Sequence, residues 1–179
     1  MALTRLNTNA YASTVDLTSN VTGELPGANI GPKLDYRNII INGDMQIAQR
    51  ATSTSSITSN GYHTIDRWQT NCTAGGTWTQ SQDTDVPTGQ GFATSIKMDC
   101  TTADGSLAAG DRLIIQQAIE GQNLQYLKKG TSSAESLTVS FWIKSVKTGT
   151  YILELYDNDN TRQAGLLILM QTEQWDRLI

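Results

Sequence analysis

The chain has 179 residues, a formal net charge of −4 and only 17% charged residues. That balance excludes a generic nucleic-acid binder, which needs a basic face to displace phosphate counterions, and it excludes charge-rich disorder. The length holds one domain with an extension; hydrophobic residues, at 38%, fall below the usual globular share of about 45–50%, and the deficit is filled by Thr, Ser, Asn, Gln and Gly, which suit exposed strands and turns better than helices.

Residues 1–35 come first. Large apolar residues are scattered here without a usable period: Leu3, Leu6, Tyr11, Val15, Leu17, Val21, Leu25 and Ile30. Such a segment cannot bury enough surface by itself to offset its ordering entropy. Pro26 and Pro32, with Gly23, Gly27 and Gly31, keep its second half out of helices and sheet interiors. It reads either as a loose terminus or as an extended N-terminal arm ordered by a partner; fully extended, about 35 residues reach roughly 115 Å. Met1–Ala12 lacks the apolar core of a signal peptide, and no apolar run approaches the ~20 residues of a membrane helix. A soluble protein made in the cytoplasm, without membrane insertion, is the expectation.

From Tyr36 the pattern becomes one of short strands. Asn38–Gln49 opens with a β-branched run and breaks at the turn pair Asn42-Gly43. Ala51–Asn60 reads as Ser/Thr-rich loop, and Asp66–Thr70 as a short strand. After Gly75-Gly76, Thr77–Gln82 alternates, as does Ser95–Cys100 beyond a turn-rich stretch. Leu113–Ile119 fits a strand and Gly121–Leu127 a short helix. Ser136–Lys144 is the clearest strand, with Leu137, Val139, Phe141 and Ile143 on a core face and Trp142 on the opposite, polar face. Gly149–Tyr156, a turn at Asp157–Asn160, Leu166–Met170 and Trp175–Ile179 complete the series. Strands this short, punctuated by turn signals, predict an all-β sandwich or barrel over residues 36–179.

Signals for chemistry are sparse. His63 is the only histidine and has no G-x-S-x-G elbow or cysteine motif beside it, so no catalytic residue is expected. Carboxylates are numerous, yet no pair stands out for glycoside cleavage, and most sit in turn-like contexts. Asp157-Asn158-Asp159-Asn160 imitates the start of a calcium loop but lacks its Gly and distant Glu. Cys72 and Cys100 are too few for a disulfide scaffold and read as ordinary strand residues. The best binding candidates are aromatic, since such rings present a flat apolar face with a polar tip. Tyr62, Trp78, Trp142 and Tyr156 are the candidates, Trp78 being expected to be the most exposed because it follows the double glycine. Trp68, Trp142 and Trp175 also read as packing residues of the sandwich.

The order Asn38–Met45 (NIIINGDM), Tyr62–Trp68 (YHTIDRW), Leu137–Ser145 (LTVSFWIKS), Gly149–Leu155 (GTYILEL) and Trp175–Leu178 (WDRL) resembles carbohydrate-binding jelly-roll modules of bacterial polysaccharide enzymes. The form INGDMQIAQR followed by Y-x-x-D-R-W looks like the version in bacteriophage virion proteins known as tail fibres. Leu17–Gly31 (LTSNVTGELPGANIG) is similar to fibre segments of the form T-S-N-V-T-G-x-L-P-x-A-N-G-G-T-G, with Ile30 interrupting the double glycine. The resemblance implies a jelly-roll sandwich, incomplete at its C-terminus because such modules continue past the W-x-R strand. It implies a structural, non-enzymatic virion protein that assembles as a homotrimer. Its arm would dock to the tail or another virion protein, and its sandwich would serve the fibre or bind host-surface glycan. A capsid decoration or head-fibre protein and a stand-alone carbohydrate-binding module are the alternatives. Jelly rolls of this kind often hold a structural calcium; its ligands are not assignable from this sequence, and no other cofactor is expected.

Overall fold

The computed structural model describes residues 38–170 and 174–179, so the arm positions from Leu3 to Ile30 lie outside the described residues. The chain divides after Ile39, and every element below lies in Ile40–Ile179. In chain order the strands are β1 (Ser53–Ile57), β2 (Gln69–Thr73), β3 (Thr77–Asp83), β4 (Ser95–Thr102) and β5 (Arg112–Gln116), then a 3₁₀ turn at Gly121–Leu127, then β6 (Phe141–Ile143), β7 (Gly149–Asp157), β8 (Arg162–Met170) and β9 (Asp176–Leu178). The fold is all-β and sandwich-like, as the sequence predicts.

All pairings between these strands are antiparallel. β3 is central in a sheet ordered β1-β3-β4, and β2 pairs with β5, β6 with β9 and β7 with β8. The first sheet and the β2–β5 pair are joined by a polar rivet. Gln80, in the middle of β3 and fully buried, donates through Nε2 to Thr70 Oγ1 of β2 at 2.8 Å. Its Oε1 accepts from Thr64 N at 3.0 Å and from Thr64 Oγ1 at 2.6 Å. Thr64 and Thr70 are fully buried as well, and every member of the group has a partner, the condition under which a buried polar network stabilises. Apolar burial surrounds it through Ile57, Ile65 and Cys72.

Several elements differ from the sequence expectation. Residues 38–40 form no strand, and 41–44 form a turn. The reason is side-chain substitution for a ladder: Gln117 presents its amide to Ile41 as a strand neighbour would, with Ile41 N donating to Oε1 at 2.8 Å and Nε2 donating to Ile41 O at 2.7 Å. Within Ala51–Asn60, read as loop, Ser53–Ile57 is the edge strand β1. β2 begins at Gln69, three residues later than expected, because Asp66 and Arg67 turn the chain. The strand expected at Ser136–Lys144 contracts to β6, since its partner β9 offers only Asp176, Arg177 and Leu178 for pairing. Leu137 is therefore exposed rather than core, and Val139, Phe141 and Ile143 are half-buried. Trp142 is half-buried too.

The long hairpin β7–β8 pairs in unbroken register from Gly149↔Met170 to Asp157↔Arg162. One face carries Tyr151, Leu153, Ile168 and Met170, the last two buried. The opposite face carries Ile152, Tyr156, Leu167 and Leu169, all exposed. Asp157 closes the turn: its Oδ1 accepts from Asp159 N at 3.1 Å and its Oδ2 from Asn160 Nδ2 at 2.8 Å. Donation from the Asn160 side chain, helped by the turn's backbone, holds this carboxyl below its ordinary range. That is turn chemistry, and it accounts for the calcium-like spelling of this segment.

Candidate functional site

The two motifs INGDMQIAQR and Y-x-x-D-R-W are physically tied together. Asn42 Nδ2 donates to Ile47 O at 2.9 Å and to Asp66 O at 3.0 Å, while Ile47 N donates to Asn42 Oδ1 at 3.0 Å. Trp68 Nε1 donates to Asn42 O at 3.0 Å, and Asp66 N to Ile47 O at 2.9 Å. Gln82 of β3 adds Nε2 donations to Met45 O at 2.7 Å and Gln46 O at 3.0 Å. Asn42, Met45 and Arg67 all have positive φ, at 54°, 58° and 73°. Such conformations cost a non-glycine residue about 1–2 kcal/mol each. They persist here because the surrounding hydrogen bonds over-determine the backbone.

Beside this knot lies a cleft of about 450 Å³ lined by Gln49, Arg50, Tyr62, Asp66, Arg67, Ala118 and Glu120. Its size falls within the ~300–1,000 Å³ usual for small-ligand sites. Its wall is fixed on both sides of Tyr62: Gly61 exchanges backbone bonds with Thr70 at 2.9 and 2.8 Å, and Thr64 is held by Gln80. The Arg50 guanidinium carbon lies 5.7 Å from the Tyr62 ring centroid, within cation–π range, and its Nη1 is 3.6 Å from Asp66 Oδ1. Asp66 Oδ1 is buried and has no hydrogen-bond partner among the described residues, so the Arg50 charge is what faces it. Tyr62 remains 43% exposed, enough for a ligand to share its ring. At the rim, exposed Glu120 accepts from Gln122 Nε2 at 2.7 Å. Arg67 is exposed and has no carboxylate partner among the described residues.

Of the four aromatic candidates, only Tyr62 lines this cleft. Trp78, expected to be exposed, is half-buried at the centre of its sheet on the same side of β3 as Gln80, and its Nε1 donates to Gly75 O at 2.7 Å. The double glycine turns back under the indole instead of freeing it. Trp142 sits on β6 and Tyr156 on the exposed face of β7, so the four lie on separate parts of the fold and do not converge. Trp175, half-buried, donates through Nε1 to Asp85 Oδ1 at 3.0 Å, and Lys144 Nζ pairs with Asp85 Oδ2 at 2.5 Å. Lys144 first, then the Trp175 indole, hold the Asp85 carboxyl below its ordinary range. His63 Nε2 is buried without a hydrogen-bond partner among the described residues, and its ring packs close over Gly61. Cys72 and Cys100 are free thiols, one buried and one exposed. Among the described residues no group of three or more His, Cys, Asp or Glu side chains could hold a metal.

Sequence reasoning missed Gln49, Arg50, Asp66, Arg67, Ala118 and Glu120 as cleft residues. Arg50 and Arg67 stand inside the two quoted motifs, and that was the usable signal, although reading Asp66–Thr70 as a strand hid the turn that carries Arg67. Ala118 and Glu120 lie far away in sequence and carry no local mark. No family model matches this chain, and no curated protein or solved structure matches it. The fold and the site define a class: an all-β module with a polar, aromatic-lined cleft on a tightly tied loop.

Proposed function

We propose that this chain is a structural protein of a bacteriophage virion, a tail fibre acting as a homotrimer, whose N-terminal arm docks to the tail and whose β domain binds a host-surface glycan in the Tyr62 cleft. The observation that carries the binding part is the convergence of an exposed aromatic ring, two guanidinium groups, two carboxylates and an amide in one cleft. A sugar needs that mixture: an aromatic plane for its C–H face and both donors and acceptors for its hydroxyls. The virion part rests on the resemblance of the motifs that build the cleft wall.

The cleft is a site of retention rather than cleavage. Glycoside hydrolysis takes one carboxyl as proton donor and another as base or nucleophile. Here Asp66 is engaged by Arg50, and Glu120 by Gln122. The test is binding of the purified chain to host envelope polysaccharide, wild type against Tyr62→Ala, with reducing ends measured in parallel. Tyr62→Ala is expected to weaken binding by about tenfold or more, or 1.4 kcal/mol, with no reducing ends released by either protein. Equal binding by a folded Tyr62→Ala variant would remove the cleft from the proposal.

A further inference from the structure

The chemistry of the cleft narrows its ligand further, on the footing that the cleft is the glycan site. Its charged groups are not equivalent. Arg50 is committed twice, to Asp66 at 3.6 Å and to the ring of Tyr62 at 5.7 Å. Glu120 already accepts through one oxygen from Gln122. Arg67 alone among the cleft's charges has no partner of opposite sign or hydrogen-bond acceptor among the described residues, and it is held there by a backbone conformation, φ 73°, that an arginine rarely adopts. Both its neighbours are pinned: Asp66 through its N and O to Ile47 and Asn42, Trp68 through its N to Ile65 O at 3.3 Å. An unpaired guanidinium on a pinned backbone is a fork of donors that matches a planar carboxylate in bidentate fashion.

We infer that the cleft takes a carboxylated glycan, a hexuronate unit whose carboxylate pairs with Arg67 while its ring lies on Tyr62. The hydroxyls of such a unit donate to what remains unfilled on Asp66 and Glu120, and Gln49 serves either sense of hydrogen bond. A carboxylate satisfies Arg67, and hydroxyls satisfy the two acids; a hexuronate carries both on one ring. A neutral sugar leaves the guanidinium meeting only hydroxyls, and a simple anion leaves the ring and the acids unused.

The test uses the full chain and four-unit fragments of alginate, polygalacturonate and hyaluronan, each beside its counterpart with the carboxyls reduced to alcohols. Binding is measured by calorimetry or by tyrosine and tryptophan fluorescence. At least one acidic fragment is expected to bind about tenfold more tightly than its reduced form, the worth of one charge-assisted pair at an exposed site. Arg67→Asn removes the charge while suiting the positive φ, since Asn tolerates that region, so the variant folds. It is expected to bring the acidic fragment close to the affinity of the reduced one, with a smaller loss for the reduced one, whose hydroxyls also meet the guanidinium, and Arg67→Lys is expected to restore part of the difference. Equal binding of acidic and reduced forms, both lost in Tyr62→Ala, would overturn the hexuronate while keeping the cleft as a glycan site. An acid preference that persists in Arg67→Asn would overturn the role of Arg67. Absence of binding to every fragment in both forms would overturn the inference together with the reading beneath it.

Discussion

Replacing Asn42 tests whether the knot beneath the cleft holds the loop. In Asn42→Gly the positive φ of 54° is tolerated, but the two donations from Nδ2 and the acceptance from Ile47 N vanish. A typical intramolecular hydrogen bond contributes about 0.5–1.5 kcal/mol net. These three are exposed to half-buried, so water replaces part of each, and a loss of about 2 kcal/mol is expected for the glycine variant. Asn42→Ala loses the same bonds and must also hold a left-handed backbone with a Cβ, which adds about 1 kcal/mol. Urea unfolding followed by tryptophan fluorescence reads both: the midpoints fall in the order wild type, Asn42→Gly, Asn42→Ala, at unchanged slope. A loss below about 0.5 kcal/mol for Asn42→Gly would mean that water replaces the side chain fully and that the knot does not set the loop. Equal midpoints for the two variants would show that the backbone relaxes out of the positive-φ region.

Gln80→Leu fills similar space but leaves Thr64 N–H buried without its acceptor; a loss of about 2–4 kcal/mol in urea unfolding is expected, and a neutral result would mean the buried threonines find other partners. Gly76 has φ 89°, and a Cβ there would stand 2.5 Å from Thr102 O, so Gly76→Ala shifts the turn before β3 and lowers the thermal midpoint by several degrees, about 4 °C or more if it costs over ~1 kcal/mol. Acidification tests the Asp85 tie. Its carboxyl is held below its ordinary range by Lys144 and Trp175, so in that window the unfolded chain binds more protons than the folded one. The stabilisation is complete above the ordinary carboxylate range and is lost as pH falls through the lowered value. Tryptophan fluorescence should therefore change in acid as the indole's acceptor loses its charge and its Lys144 partner, and the change should be absent in Asp85→Asn.

Turn chemistry and alternation were legible in the chain. Asn42-Gly43, Gly75-Gly76 and Asp157–Asn160 all fall in turns, and β3, β4, β7 and β8 lie where alternation or an apolar run places them. The failures share a cause: partners that sequence does not display. β1 reads STSSI, an edge strand with one buried residue, so there was no apolar period to find. Ser136–Leu137 alternates correctly, yet no described strand reaches it. The cleft is the same case at larger scale. Tyr62 was legible as an aromatic outside any strand, but its companions Arg50 and Glu120 come from different loops. They are brought together by Gln82, Gln117 and Asn42, whose side-chain amides clamp backbone across distances of up to 76 residues. Side-chain amides carry no periodicity, and their targets are backbone atoms common to every residue.

The hairpin β7–β8 has a dynamic consequence. Among the described residues its ladder is a two-stranded one, and Ile152, Leu167 and Leu169 on its outer face are exposed. A two-stranded ribbon is marginal by itself. What anchors it is the buried pair Ile168 and Met170 at one end, so opening should begin at the Asp157–Asn160 tip and run toward them. Amide hydrogen exchange would then proceed as a gradient along the ribbon, fast at the tip and slow near Gly149, at free energies well below that of global unfolding. Proteases would meet the same gradient: the tip is where a first cut would fall, and the polar rivet at Gln80 would survive it.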